Sequence, residues 1–204
     1  MDFDILIKHG EIIDGSGAHG YTADVGLKNG RIDQIGDLEN CTCLHEIDAT
    51  DMVVCPGFID AHNHAHVDVE KDILHEDNLV RQGITTLMAG NCGRSGWPVG
   101  EHLDIVDERG MKQNYAMLVG HHTVRWELFG RENQERILNA LELQKMQDAA
   151  IGGIEEGAFG VTVGYAKPWE SLDEVLEFAR AAGKTDTVYA SHIRSEDTHL
   201  LTAI

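Results

Sequence analysis

The chain has 204 residues, 42% of them hydrophobic and 25% charged, which suits one large or two small globular domains and excludes a low-complexity or disordered chain. With 16 basic against 35 acidic residues its formal net charge is −19, which repels phosphate backbones and anionic membranes, so neither nucleic acid nor a membrane is an expected partner. No run approaches the roughly 18 apolar residues of a membrane helix, and the start, MDFDILIKHG, lacks the basic and long apolar regions of a signal peptide, so a cytoplasmic protein is expected.

Residues 1–55 contain short β-like runs, FDILIKHGEIID, ADVGLKNGRIDQIG and LHEIDATDMVVC, with Asn29-Gly30 as a hairpin signal between two of them. No catalytic residue types cluster there, and this part reads as a small β-sheet domain. Four cysteines, Cys41, Cys43, Cys55 and Cys92, form no Cys-x-x-Cys pair, and disulfides are not expected in a reducing compartment. Cys55 reads as a small buried hydrophobe, and Cys41 and Cys43 as facing opposite sides of a short strand.

After Pro56 the period changes. Strands are expected at 57–61, 84–90, 115–120, 159–164 and 187–191, with helices near 70–82, 100–110, 131–157 and 171–183 between them. Ser171, followed by Asp173 and Glu174, marks a helix start, and Ala182-Gly183 a stop. Strands separated by helices imply a parallel sheet. No Gly-x-Gly-x-x-Gly follows the first strand, which argues against a dinucleotide-binding sheet, so a (β/α)8 barrel with functional residues at the strands' C-terminal ends is the expected fold for 56–204.

The strand ends bear this out as a pattern. The first ends in His62-Asn63-His64, the second in Asn91-Cys92-Gly93, the third in His121-His122 and the fifth in His192. Side chains at i and i+2 of a strand share a face, so His62 and His64 are expected to chelate one cation, with His66 in the loop beyond. Zinc accepts imidazole nitrogen and thiolate sulfur readily, which makes Cys92 a suitable further ligand.

PGFIDAHNH at 56–64 resembles the first-strand signature of the amidohydrolase superfamily, barrel hydrolases accompanied by a small β-sandwich. GITTLMAGNCG, LVGHHTVR, GAFGVTVG and YASHIRSE are similar to the D-aminoacylase (N-acyl-D-amino-acid deacylase) branch, along essentially the whole chain. The resemblance implies the first five or so β/α units of a (β/α)8 barrel behind a β-sandwich-type domain. It implies zinc, either in one tight site alone or in a tight site and a second weaker one, with His62 and His64 at one position, Cys92 as the tight or bridging thiolate and His192 as a tight-site ligand. It also implies a later histidine and a general-base aspartate, both expected beyond Ile204, so the 204-residue chain alone is expected to be inactive and poorly stable.

The implied reaction is metal-assisted hydrolysis of an N-acyl-D-amino acid, with cyclic-amide hydrolysis or a non-catalytic scaffold as alternatives. His121 or His122, adjacent where the branch has Gly-His-Gly, would help polarise the carbonyl. Tyr165 or Lys167 falls where the branch carries a substrate-touching tyrosine, and Arg194, two residues past His192, would clamp a carboxylate or serve as a solvated loop residue. Ser195 reads as the N-cap of a further helix, with Glu196 and Asp197 in its first turn.

Overall fold

The computed structural model describes residues 1–70, 76–164 and 171–203, which divide into two compact units, Met1–Gly57 and Phe58–Ile204. The first unit is a sheet in the order β3-β2-β1-β4, from β1 (Phe3–Ile12), β2 (Tyr21–Lys28), β3 (Arg31–Gly36) and β4 (Cys43–Asp48), with β5 (Val53–Val54) also paired to β1. Asn29 and Gly30, at φ 52° and 70°, turn β2 into β3, as a two-residue hairpin turn of this kind requires.

Register slips between Ile7 and Gly10 of β1, where the His9 amide donates to Asp24 Oδ1 at 2.9 Å. The extra residue is a β-bulge. Phe3, Leu6 and Leu38 form the small core, and Cys41 and Cys43 both pack against it. They were expected on opposite sides, but residues two apart in extended chain share a face. Cys55 is exposed rather than buried, because β5 ends at Val54 and leaves it in the connection to Pro56. Among the described residues this unit is one sheet, not two layers, and Ile32, Ile35, Leu44 and Ile47 are exposed on it.

In the second unit β6 (Phe58–Asp60), β7 (Ile84–Ala89) and β8 (Asn114–Met117) form one parallel sheet, and β9 (Val119–Gly120), β10 (Gly160–Val163) and β11 (Val188–Ser191) another. Only Leu118 separates β8 from β9, and its amide donates to Ala89 O at 3.0 Å. The two sheets thus share one interrupted strand. Counting β8 and β9 as one, five parallel strands of the described residues follow each other in chain order, the arrangement of successive units in a βα barrel.

The helices are α1 (Ala65–Glu70), α2 (Glu76–Val80), α3 (Val99–Arg109), α4 (His121–Phe129), α5 (Ala140–Glu155), α6 (Leu172–Thr185) and α7 (Leu200–Ala203). Met117, Val119, Val161 and Val163 of the strands pack with Met146 and Ala150 of α5 and Phe178 and Ala181 of α6 in one dry core. The expected helix at 70–82 is represented by α1 and α2, with 71–75 outside the described residues. The helix expected over 131–157 starts only at Ala140, because Asn139 and Glu142 form a capping box there. Upstream of it, α4 and a 3-10 turn at Arg131–Asn133 occupy the chain.

The Ser171 hydroxyl accepts from Glu174 N at 3.2 Å, capping α6 as expected, but the helix runs on past Gly183 to Thr185, and Asp186 at φ 54° closes it. Ser195 is no helix cap: α7 starts at Leu200, and the serine hydroxyl donates to Asp197 Oδ1 at 2.6 Å. Among the described residues no helix is long and apolar enough to cross a membrane.

Candidate metal centre

β6 is only three residues long, so His62 and His64 lie in the bend after it rather than on a strand. Asn63 holds that bend. Its Nδ2 donates to Asp60 O at 3.1 Å and to Met88 O at 3.3 Å, and its Oδ1 accepts from Ala65 N at 3.0 Å at the start of α1. The two imidazoles therefore share a side for a reason other than strand alternation, with ring centres 5.8 Å apart.

Cys92 is brought to them by a tightly turned loop after β7. Gly90, Cys92 and Gly93 have φ of 79°, 55° and 75°, and the buried Asn91 side chain donates to Met88 O at 2.8 Å. A side chain on Gly93 would place its Cβ 2.6 Å from the Gly164 amide and 2.8 Å from His122 Nδ1. Gly93 O in turn accepts from the His122 amide at 2.8 Å. The loop is thus clamped between the ends of β9 and β10, which leaves Cys92 no choice of direction.

Ligand atoms of His62, His64 and Cys92 lie within 4.8 Å of one another. His62 Nε2 is 3.2 Å from Cys92 Sγ, and His192 Nδ1, at the end of β11, is 3.4 Å from the same sulfur. A nitrogen and a sulfur bound at roughly 2.0 and 2.3 Å to one tetrahedral zinc would sit about 3.5 Å apart. Spacing and donor chemistry both fit zinc. Burial pushes the Cys92 thiol above its ordinary pKa, with the charge of Arg94 opposing, and burial together with the neighbouring His62 pushes His64 down.

The other expected site residues are dispersed. His121 is fully buried, with Nε2 3.0 Å from Glu174 Oε1 and its ring edge-on to Phe178, so it faces α6 rather than the cluster. Its place in sequence suggested the mouth, but Glu174 offers it a buried charge partner. His122 is buried nearer the cluster, against Gly93 and stacked on Trp126. Arg194 is exposed and lines a cavity of about 500 Å3 with Gly164, Tyr189, Ser191 and His192. Tyr165 and Lys167 lie outside the described residues.

His66, expected in the loop, is the second residue of α1 and 2% exposed. Its Nδ1 accepts from Gly90 N at 3.3 Å, which ties α1 to the Cys92 loop, and burial pushes its pKa down to about 4. The i, i+2 spacing of histidines signalled the residue but not this role. Nothing in sequence marked Arg94 or Trp126, which border the loop.

No family model matches the chain. It is 31% identical to a D-aminoacylase of Alcaligenes xylosoxydans xylosoxydans, over 99% of this chain and 46% of that protein. It is 32% identical to an N-acyl-D-glutamate deacylase of the same organism, over 95% of this chain and 44% of the relative. An N-acyl-D-glutamate deacylase from Bordetella bronchiseptica, solved with zinc and a phosphonate inhibitor mimicking the tetrahedral intermediate, superposes with TM-score 0.89 at 32% identity, covering 100% of this chain and 48% of that one. The fold is that of these deacylases, and the donor set is one that zinc accepts. The chain belongs to the amidohydrolase superfamily, in its D-aminoacylase and N-acyl-D-glutamate deacylase branch, and spans about half the length of the curated relatives it matches.

Proposed function

We propose that the whole protein hydrolyses the amide bond of N-acyl-D-amino acids, with zinc held by His62, His64, Cys92 and His192. The observation that carries this reading is one thiol lying between two imidazoles, 3.2 Å from His62 and 3.4 Å from His192, contributed from three strand ends. Such a donor set at the C-terminal end of parallel strands is where barrel enzymes place their chemistry. When bound, zinc supplies Lewis acidity, polarising a carbonyl and making water acidic enough to yield hydroxide near neutral pH.

The chain's own residues do the rest of what falls to them. Asn63, Asn91 and His66 fix the two loops that carry the ligands, so the donors meet with little reorganisation. His122 closes the floor between Gly93 and Gly164 and keeps water out behind Cys92. Arg194, exposed beside His192, is positioned to pair with the substrate's α-carboxylate. An acylase assay on paired enantiomers tests the reading: N-acetyl-D-amino acids should be cleaved and their L-forms left nearly untouched. Equal rates on both, or activity only on cyclic amides, would move support to a different amidohydrolase chemistry, and no turnover with zinc bound would favour a scaffold.

A further inference from the structure

The two ring nitrogens of His192 face different groups. Nδ1 lies 3.4 Å from Cys92 Sγ, on the side of the candidate metal centre, and Nε2 lies 3.7 Å from Glu196 Oε1, within ion-pair reach. The backbone of His192 is fixed, its amide donating to Val163 O at 3.0 Å beyond the end of β10. That bond leaves open the rotation of the ring and the choice of tautomer. In a neutral imidazole one nitrogen carries the proton and only the other can ligate, and the hydrogen bond made by the first decides which is which.

Glu196 is placed for that choice by a turn built around its neighbour. Asp197 Oδ1 accepts from the Ser195 hydroxyl at 2.6 Å and from the His199 amide at 3.3 Å. The chain from 192 to 197 is not helical, and α7 starts only at Leu200, so Glu196 lies outside that helix. Its side chain is 72% exposed, and an ion pair that open to water adds only roughly 0–1 kcal/mol to stability. What the pair does instead is set the outward nitrogen of His192 against an acceptor, with the inward nitrogen left facing the thiol.

We propose that Glu196 is a positioning residue of the metal centre, accepting the Nε2 proton of His192 so that the Nδ1 lone pair is presented to zinc. The inference rests on the reading above in which His192 is a ligand, and adds the residue that orients it. Glu196 acts through His192 and is not itself a ligand. A carboxylate behind a ligating histidine fixes ring orientation and raises the basicity of the ligating nitrogen, and its loss typically costs about 10- to 100-fold in metal affinity.

The test measures zinc affinity of the whole protein by competition with a chromophoric chelator, for wild type, Glu196→Ala and Glu196→Gln. Glu196→Ala should bind the tight zinc about 10- to 100-fold more weakly with an unchanged circular dichroism spectrum. Glu196→Gln keeps an oxygen that accepts from Nε2 and should recover most of that loss. The cobalt-loaded proteins give a second readout: the visible spectrum, which follows ligand geometry, should change shape in Glu196→Ala and match wild type in Glu196→Gln. Undiminished affinity in Glu196→Ala would overturn the proposal. Equal losses in the two variants would also overturn it, because they would make Glu196 a distant charge rather than an orienting acceptor. Both readouts work without substrate, so a whole protein that fails to cleave N-acyl-D-amino acids leaves the result standing, and undiminished affinity in Glu196→Ala leaves the deacylase reading standing.

Discussion

Cys92 Sγ lies 3.4 Å from His192 Nδ1, although the two residues are 100 positions apart in the chain. No local structure can produce that approach. It follows from the parallel order of the strands, which brings the ends of β7 and β11 to one side, and from the left-handed turn at Cys92, φ 55°, which aims the thiol inward.

Because burial raises the pKa of the Cys92 thiol in the absence of metal, the sulfur is protonated at neutral pH and must lose that proton to ligate. The burial of His64 lowers its pKa, so that imidazole is already neutral and competes for no further proton. Apparent zinc affinity should therefore rise about tenfold per pH unit between roughly pH 7 and 8.5, the signature of one proton released. Competition with a chromophoric chelator across that range measures it. A flat profile would show that the thiol takes no part.

Glu174 should matter for stability more than any surface acid. It is 1% exposed, and Oε1 receives both His121 Nε2 at 3.0 Å and Arg125 Nη1 at 2.5 Å. Arg125, itself 1% exposed, is anchored further by Nη2 donating to Gln134 O at 3.0 Å. Glu174→Gln removes the negative member and leaves a buried guanidinium uncompensated, so a loss of about 3–5 kcal/mol is expected in chemical denaturation. A change below about 1 kcal/mol would mean the cluster is wetter than its burial implies.

This cluster also explains what sequence patterning could and could not show. Strand β10 was legible because it is a short apolar run buried on both faces, β6 and β11 were picked out by apolar residues that the fold leaves largely exposed, and α6 was legible because Ser171 caps it. Helix α4 was not. Its buried face consists of His121, His122, Val124 and Arg125, and polar residues on a buried face erase the hydrophobic period. The partner that makes their burial tolerable, Glu174, sits 49 residues downstream of Arg125 on another helix. For the site, the histidines and Cys92 could be picked out by residue type and position, while the burial of His121 against α6 and the gathering of Arg94 on Trp126 are tertiary facts with no local trace.

Gly93 and Gly110 offer a contrast between strain and obstruction. Both have positive φ, 75° and 66°, so alanine costs conformational energy of about 1–3 kcal/mol at either. At Gly110 nothing lies within 4 Å of the added carbon, whereas at Gly93 it would meet the Gly164 backbone at 2.6 Å. Gly93→Ala should therefore lower both melting temperature and zinc content, and Gly110→Ala only the former. Metal retention by a Gly93→Ala protein would show that the loop has room to adjust.

Zinc content of the Cys92→Ala protein, measured beside wild type after identical metal loading and desalting, tests the metal centre most directly. Among the described residues the sulfur is the one donor within 3.4 Å of imidazoles from both the β6 and β11 ends, so its removal should take away the tightly held zinc while leaving the fold intact by circular dichroism. Wild type is expected to retain about one zinc per chain and Cys92→Ala markedly less. Undiminished zinc in a folded Cys92→Ala protein would contradict the account, because it would place the metal on donors other than the thiol around which the centre is built.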